Sequence, residues 1–336
     1  MSLKTIFDDD VKISIIIPAY NVEKYVQRGV SSALHQTFSS VEVVVVDDGS
    51  SDSTWDILQT YSGDARMVLA RQENSGVSVA RNHALDLANG DFVLFLDSDD
   101  WLEPDTCEQL IRMQRLCPDS LIAAGAYFVS IVDGEELRAD KTVDMATEDL
   151  SSDEAILNFG IFNTVHIGSS CYKLFSRDLI ENHHLRFDEN IAHTEDGLFV
   201  FRYLKFCNGL HYEPLPLWNI LERPGSATTS GYSCSLLTSL DAIDQMIGYP
   251  ENSPEIVSHL RHFKVHEALR ILGMGIDSGH ISPDEERRLI NAIRFTECDC
   301  SQLSGVDRVR KVMYLNAPRF ASRAFNSALC TVKKRK

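Results

Sequence analysis

Asp97, Asp99 and Asp100 place three carboxylates within four residues, directly after the apolar run Phe92–Leu96 and with no basic residue beside them. Anions held this close repel one another, so a fold that keeps them must supply a cation or a polyol. The spacing Asp97-x-Asp99 puts two carboxylates on one side of an extended strand end, within reach of one divalent ion. Oxygen-only ligands suit Mg²⁺ or Mn²⁺, which share a few carboxylates with substrate phosphates. The motif therefore predicts a metal-bridged diphosphate site. The competing reading is an acidic turn that closes a strand and caps a helix.

Other polar groups punctuate the chain in the same way. Pro18-Ala19-Tyr20-Asn21, with Glu23, leaves an apolar run. Tyr20 could stack on a base and Glu23 could bind ring or ribose atoms, or Pro18 could simply end a strand and Asn21 cap a helix. Asp47-Asp48-Gly49-Ser50 ends the next run. A carboxylate there can accept from a pyrimidine N–H or a ribose hydroxyl, and Gly49 permits close approach; an Asx turn is the alternative. The stretch from Asn74 through Gly76 to Arg81 and Asn82 reads as a helix start, where free N–H groups favour a phosphate or its sugar. Arg81 lies too far into that helix for the dipole argument and is expected to brace the Asp97–Asp100 loop by an ion pair or to reach the diphosphate. Glu195-Asp196 opens an apolar helix, and Arg223 to Thr228 forms a polar loop able to close over a diphosphate.

The elements that must carry these groups alternate between strand and helix patterns, the mark of an α/β sheet. Ile13–Ile17, Val41–Val46, Met67–Ala70 and Phe92–Leu96 read as strands. Amphipathic segments follow each of the first three: one capped by Asn21, one through Trp55 and Leu58, and one opened by Asn74 or Ser75 and closed by Gly90. Every polar motif so far falls at the C-terminal end of a strand, where open α/β sheets bind ligands. A helix and a strand are expected between Glu103 and Val132, then an acidic, turn-rich stretch, and a closing strand near His211–Leu221. From about Ser235 the chain reads as helical, with Ser282-Pro283-Asp284-Glu285 a capping box with proline at the first helical position.

Composition bounds the function. A net charge of −17 over 336 residues argues against a general nucleic-acid binder. Residues 301–336 oppose that balance, with nine basic side chains against the one acid, Asp307. There Val306, Val309, Met313, Ala317, Phe320, Ala324 and Ala328 recur at helical spacing, with Pro318 expected to break the helix in two. Such a segment can lie on an anionic membrane surface, or pack its apolar face on the acidic body. Eight cysteines without a zinc-knuckle spacing or a secretory signal suggest a reducing cytoplasm.

Taken in order, Pro18-Ala19-Tyr20-Asn21, Asp47-Asp48-Gly49-Ser50, Asn74-Ser75-Gly76 with Ala80-Arg81-Asn82, Asp97-Ser98-Asp99-Asp100 and Glu195-Asp196 resemble glycosyltransferase family 2 over residues 12–230. The resemblance extends to the bacterial members that build capsular, O-antigen or cell-wall polysaccharides. It implies a GT-A fold, a Rossmann-like α/β mixed sheet flanked by helices. Residues 12–105 would be the nucleotide-sugar half, 106–230 the acceptor half, and 231–336 a C-terminal helical extension. It implies that Pro18, Tyr20, Glu23 and Asp48 hold a nucleotide, usually uridine, with Asp47 supporting the loop. Asp97 would contact the ribose or donor sugar, Asp99 would ligate Mn²⁺ or Mg²⁺, and Asp196 would be the catalytic base, with Glu195 orienting it or binding acceptor. Trp101 would face the acceptor or belong to the core. Activity would then be inverting transfer from a nucleotide-sugar donor to a saccharide or lipid-linked glycan. A sugar-nucleotide nucleotidyltransferase and a non-catalytic scaffold of a polymerising complex are the alternatives; the first lacks its Gly-rich basic loop after the opening strand.

Overall fold

The computed structural model describes residues 11–132, 135–140, 146–158, 168–223, 231–299 and 303–316. The chain divides into two compact units, one of Met1–Glu189 with Phe199–Arg223 and the other of Asn190–Leu198 with Pro224–Lys336.

The first unit is built on a ten-stranded mixed sheet. β1 (Ile13–Ala19), β2 (Val41–Asp47), β3 (Met67–Arg71) and β4 (Phe92–Phe95) are mutually parallel in the order β3-β2-β1-β4. Between them run α1 (Val26–Leu34), α2 (Thr54–Gln59) and α3 (Val77–Leu87). β1 and β2 are buried throughout, which is why both read as near-continuous apolar runs, broken early only by Ser14 and Glu42. β5 (Trp101–Leu102) and α4 (Thr106–Leu116) lead to β6 (Leu121–Val132). β7 (Glu135–Asp140) pairs with β6, β8 (Glu148–Leu150) precedes α5 (Ser152–Leu157), and β9 (Lys173–Ser176) inserts antiparallel between β4 and β6. After α6 (Arg177–Asn182) and α7 (Glu195–Leu204), the long β10 (Leu210–Glu222) runs parallel to β6 and antiparallel to β5 and β8.

Five local expectations change. β1 continues through Pro18, which pairs in register with Val46. Ile16 turns its carbonyl towards the β4 side, where it accepts from Leu96. Pro18, two residues on, faces the same side beyond the last β1–β4 pair, Ile16 with Phe95, so its missing N–H breaks no ladder. Asn21 does not cap α1, which starts at Val26; its side chain accepts from Ser51 instead, at a left-handed φ of 50°. Gly90 does not close α3 by a left-handed turn. The N-cap of that helix is Gly76 rather than Asn74 or Ser75. The acidic stretch before Asp153 holds the strands β7 and β8.

The core of the first unit centres on Phe95, which meets Phe175, Phe187 and Phe199 edge-on. Phe187 stacks on Phe199 with centroids 4.3 Å apart. In the second unit α8 (Thr238–Ile247), α9 (Pro254–Ser278), α10 (Pro283–Phe295) and α11 (Gly305–Asn316) share an aliphatic core including Leu240, Leu269, Leu272, Leu289 and Ile293. The capping box at Ser282 and Glu285 forms as the sequence dictates. Among the described residues, no helix is long and apolar enough to cross a membrane.

Candidate functional site

The C-terminal ends of β1, β2 and β4 carry the first unit's polar loops side by side, knitted by hydrogen bonds that cross between them. Leaving β1, Asn21 N donates to Ser50 Oγ (2.9 Å) and Val22 N to Thr54 Oγ1 (2.8 Å). Glu23 accepts from Ser53 N (3.0 Å), while its own N–H donates to Asp52 (3.1 Å). Tyr20 remains about half exposed.

At the end of β2, Asp48 is buried and spends both oxygens on the next loop. Oδ1 accepts from Ser75 N and Gln72 Nε2 and Oδ2 from Gly76 N, each at 2.8 Å. The carboxylate thus does for the start of α3 what a side-chain cap would. Gly49, at φ 73°, lets the two loops touch: a Cβ there would lie 2.7 Å from the backbone N of Asn74. Asp47, fully buried, takes Arg71 Nε at 3.0 Å and Ser50 N at 3.3 Å through Oδ2. Its Oδ1 is buried without a partner, an acceptor with no donor from the chain.

The β4 end holds the acidic triplet. Arg81, buried on α3, donates to Asp97 Oδ1 at 3.0 Å, the brace its position predicted. Asp99 Oδ2 takes Arg223 Nε at 2.8 Å, a pairing that spacing along the chain does not reveal. Asp100 is buried and accepts from Leu221 N of β10 at 2.9 Å. Burial, and then the charges of Asp97 and Asp99, push its carboxyl well above the ordinary carboxylate range. Two guanidiniums thus answer three crowded carboxyls. An all-oxygen donor set, with Asp97 and Asp99 each holding a second oxygen beyond its ion pair, fits a hard divalent cation. Trp101 is a core residue, packed with Val129 and Leu221 and covered by the Arg28 guanidinium 3.2 Å from its ring.

Asn82, part of the Asn74–Asn82 motif, takes a role that the sequence reading did not assign to it. Its amide clamps Phe187, accepting from the backbone N–H (2.8 Å) and donating to the carbonyl (2.9 Å). The signal for it was faint: a polar residue on an apolar helix face.

Glu195 and Asp196 lie in the second unit, in the first turn of α7. The preceding loop is tied down within that unit. Thr238 Oγ1 accepts from Ala192 N and His193 N, both at 3.1 Å, and donates to Ser235 O at 2.7 Å. His193 Nε2 lies 3.1 Å from Ser235 Oγ. Burial and the Arg270 charge hold that imidazole below its ordinary pKa, with Glu267 opposing. Of the polar loop Arg223–Thr228 expected to close over a diphosphate, all but Arg223 lies outside the described residues.

The family model for Glycosyl transferase family 2 matches residues 14–183, which takes in β1 to β9 and four of the five motifs. The chain belongs to this family. Among bacterial polysaccharide relatives, the succinoglycan biosynthesis protein ExoO of Rhizobium meliloti (strain 1021) is 30% identical over 240 residues, 71% of this chain and 67% of ExoO. EpsH of Bacillus subtilis (strain 168), named as a glycosyltransferase, is 33% identical over 212 residues, 62% of this chain. The match spans 60% of the length of EpsH. The crystal structure of S. aureus TarS 1–349 in complex with UDP-GlcNAc aligns with a TM-score of 0.68 at 21% identity, over 94% of this chain and 92% of that one. The fold is therefore GT-A, with the strand order and C-terminal helices described above.

Proposed function

We propose that this family member is an inverting, metal-assisted glycosyltransferase that moves a sugar from a nucleoside-diphosphate donor, with uridine favoured, to a hydroxyl of a saccharide or lipid-linked acceptor in surface-polysaccharide synthesis. The reading rests on Asp47 and Asp48 at the end of β2 and Asp97 and Asp99 at the end of β4, the two parallel strands that flank β1. The solved TarS complexes with UDP and UDP-GlcNAc favour uridine.

Within this reading, residues 12–105 form the donor half, 106–230 the acceptor half and 231–336 a helical extension. Tyr20, Pro18, Glu23 and Asp48 hold the nucleotide, and the fully buried Asp47 supports the same loop. Asp48 shapes the loop of Asn74 and Gly76, whose N–H-rich turn faces the sugar or phosphate. Asp97 contacts the ribose or donor sugar beside its Arg81 brace. Asp99, with Asp97 beside it, would hold Mn²⁺ or Mg²⁺, which when bound neutralises the charge that develops on the departing diphosphate. Asp196 takes the proton from the acceptor hydroxyl as it attacks the sugar carbon from the face opposite the leaving group, and Glu195 orients it or binds acceptor. The sugar carbon is oxocarbenium-like at that point, as in glycoside hydrolysis, and single displacement inverts it. An α-linked donor therefore yields a β-glycoside; a product of retained configuration would refute the mechanism. The enzyme would act in the cytoplasm, with the basic segment 306–336 touching the membrane from the inner side.

Thermal unfolding with UDP, GDP, CDP and dTDP, each with and without Mn²⁺, tests the donor site without needing an acceptor. A manganese-dependent rise of the midpoint, largest with UDP, is the expected result. A well-folded protein that responds to none of the four would leave the proposal without its donor.

A further inference from the structure

A second cluster of ligating atoms lies at the far end of the same sheet. His211 is the second residue of β10 and sits directly across from Asp149 of β8. Its Nδ1 is 2.7 Å from Asp149 Oδ1. Cys117, at the C-cap of α4, brings its Sγ to 3.9 Å from the same oxygen. All three ligand atoms lie within 4.8 Å of one another, the only such trio of His, Cys, Asp or Glu among the described residues. β10 is parallel to β6 and β6, through β9, to β4, so the cluster sits by the strand starts, away from the loops that hold Asp97 and Asp99.

We propose that Cys117, Asp149 and His211 form a zinc site, with water in the fourth position. A thiolate, an imidazole and a carboxylate are the donor types that tetrahedral zinc takes, and they suit Mg²⁺ poorly. Ligands about 2.0–2.3 Å from a tetrahedral ion stand roughly 3.3–3.8 Å apart, so Sγ would draw in slightly while Nδ1 and Oδ1 part from their present 2.7 Å. The surroundings of His211 supply the independent support. Its other nitrogen, Nε2, lies 3.4 Å from Glu213 Oε1, so with Nδ1 turned to the ion, Nε2–H would donate to that carboxylate. That backing carboxylate is the usual partner of a metal-bound histidine. Glu213 is itself fixed by Arg112, through contacts of 3.1 and 2.5 Å. The imidazole is almost wholly buried, whereas Asp149 is 77% exposed, so the ring is held rigidly and the ion has an open approach. Bound there, zinc would fasten the end of α4 to the β8–β10 pair.

Titration of the reduced full-length protein with Co²⁺ decides the matter, because a thiolate-bound tetrahedral cobalt absorbs in a way that an oxygen-only site cannot. One equivalent of Co²⁺ should give the thiolate charge-transfer and tetrahedral bands, and Zn²⁺ should erase them. Cys117→Ser should lose the charge-transfer band, Glu213→Gln should bind about tenfold more weakly, and Asp99→Asn should leave the bands unchanged. Zn²⁺ should raise the unfolding midpoint of the wild type but not of Cys117→Ser. No saturable band at one equivalent, or a band that survives in Cys117→Ser, overturns the site, and neither result bears on the donor site.

Discussion

Glu42 is the second residue of β2, and four donors converge on it. Lys12 Nζ (2.6 Å), Ser14 Oγ (2.5 Å), Asn89 N (2.5 Å) and Gly90 N (3.1 Å) join the start of β1 and the turn before β4 to β2. Burial alone would raise its pKa, yet the hydrogen bonds from Lys12, Ser14 and Asn89 outweigh it and hold the carboxyl below its ordinary 4.5. A depressed folded value means that the unfolded chain binds more protons in that range. The stabilisation is therefore complete above the ordinary value and is lost as pH falls through the folded one. Glu42→Gln should cost about 2 kcal/mol at neutral pH and flatten the acid limb of the stability curve, read by urea melts from pH 3 to 7. At Asp99 the consequence is functional. Asp99→Asn removes the charge opposite Arg223 and should abolish the manganese-dependent midpoint shift with UDP. Turnover should fall by about 10²-fold or more, with little change in the midpoint without ligand, since the pair is partly solvated.

Loops act through the elements that pin them. The residues just before Glu195 and Asp196 owe their course to Thr238 at the start of α8, whose hydroxyl accepts two successive backbone N–H groups. Thr238→Val keeps the shape and removes the acceptor. If Asp196 is the base, kcat should fall by about tenfold or more, because misplacing a reacting group is costly even at small displacements. The UDP-dependent midpoint shift should stay as it was, since Thr238 and the donor loops belong to different units. A parallel loss of donor binding would show that the substitution had acted globally instead.

For the whole molecule, the opposition between an acidic chain and a basic C-terminal segment carries the membrane proposal. In α11 Asp307 and Tyr314 are buried, and Asp307 lies 2.8 Å from His266. Val306, Val309 and Val312 are 41%, 46% and 64% exposed, so this helix turns valines outward beside the exposed Arg308. Truncation from residue 306 would strip core contacts from the second unit, so the informative cut is after Asn316, paired with Val309→Asp and Val312→Asp. Co-sedimentation with anionic vesicles should weaken with either change and with rising salt, while the UDP response persists. Binding that ignores both changes would remove the membrane role.

Much of this protein is legible in its sequence because its central strands are buried on both faces. Such strands are near-continuous apolar runs, so the polar groups that end them at Asp47-Asp48, Tyr20-Asn21 and Asp97–Asp100 mark the loops that follow. Helix starts set by local chemistry, such as Ser282 with Glu285, are fixed by the residues alone. Tertiary structure decided which partners those residues meet. Asp48 lies 27 residues from Ser75, Asp99 124 from Arg223, and Asp149 62 from His211. A carboxylate can satisfy its lone pairs with any donor the fold brings near, and sequence spacing carries no record of that choice. The sequence determines where the acids stand; the packing of strands and helices determines what they hold.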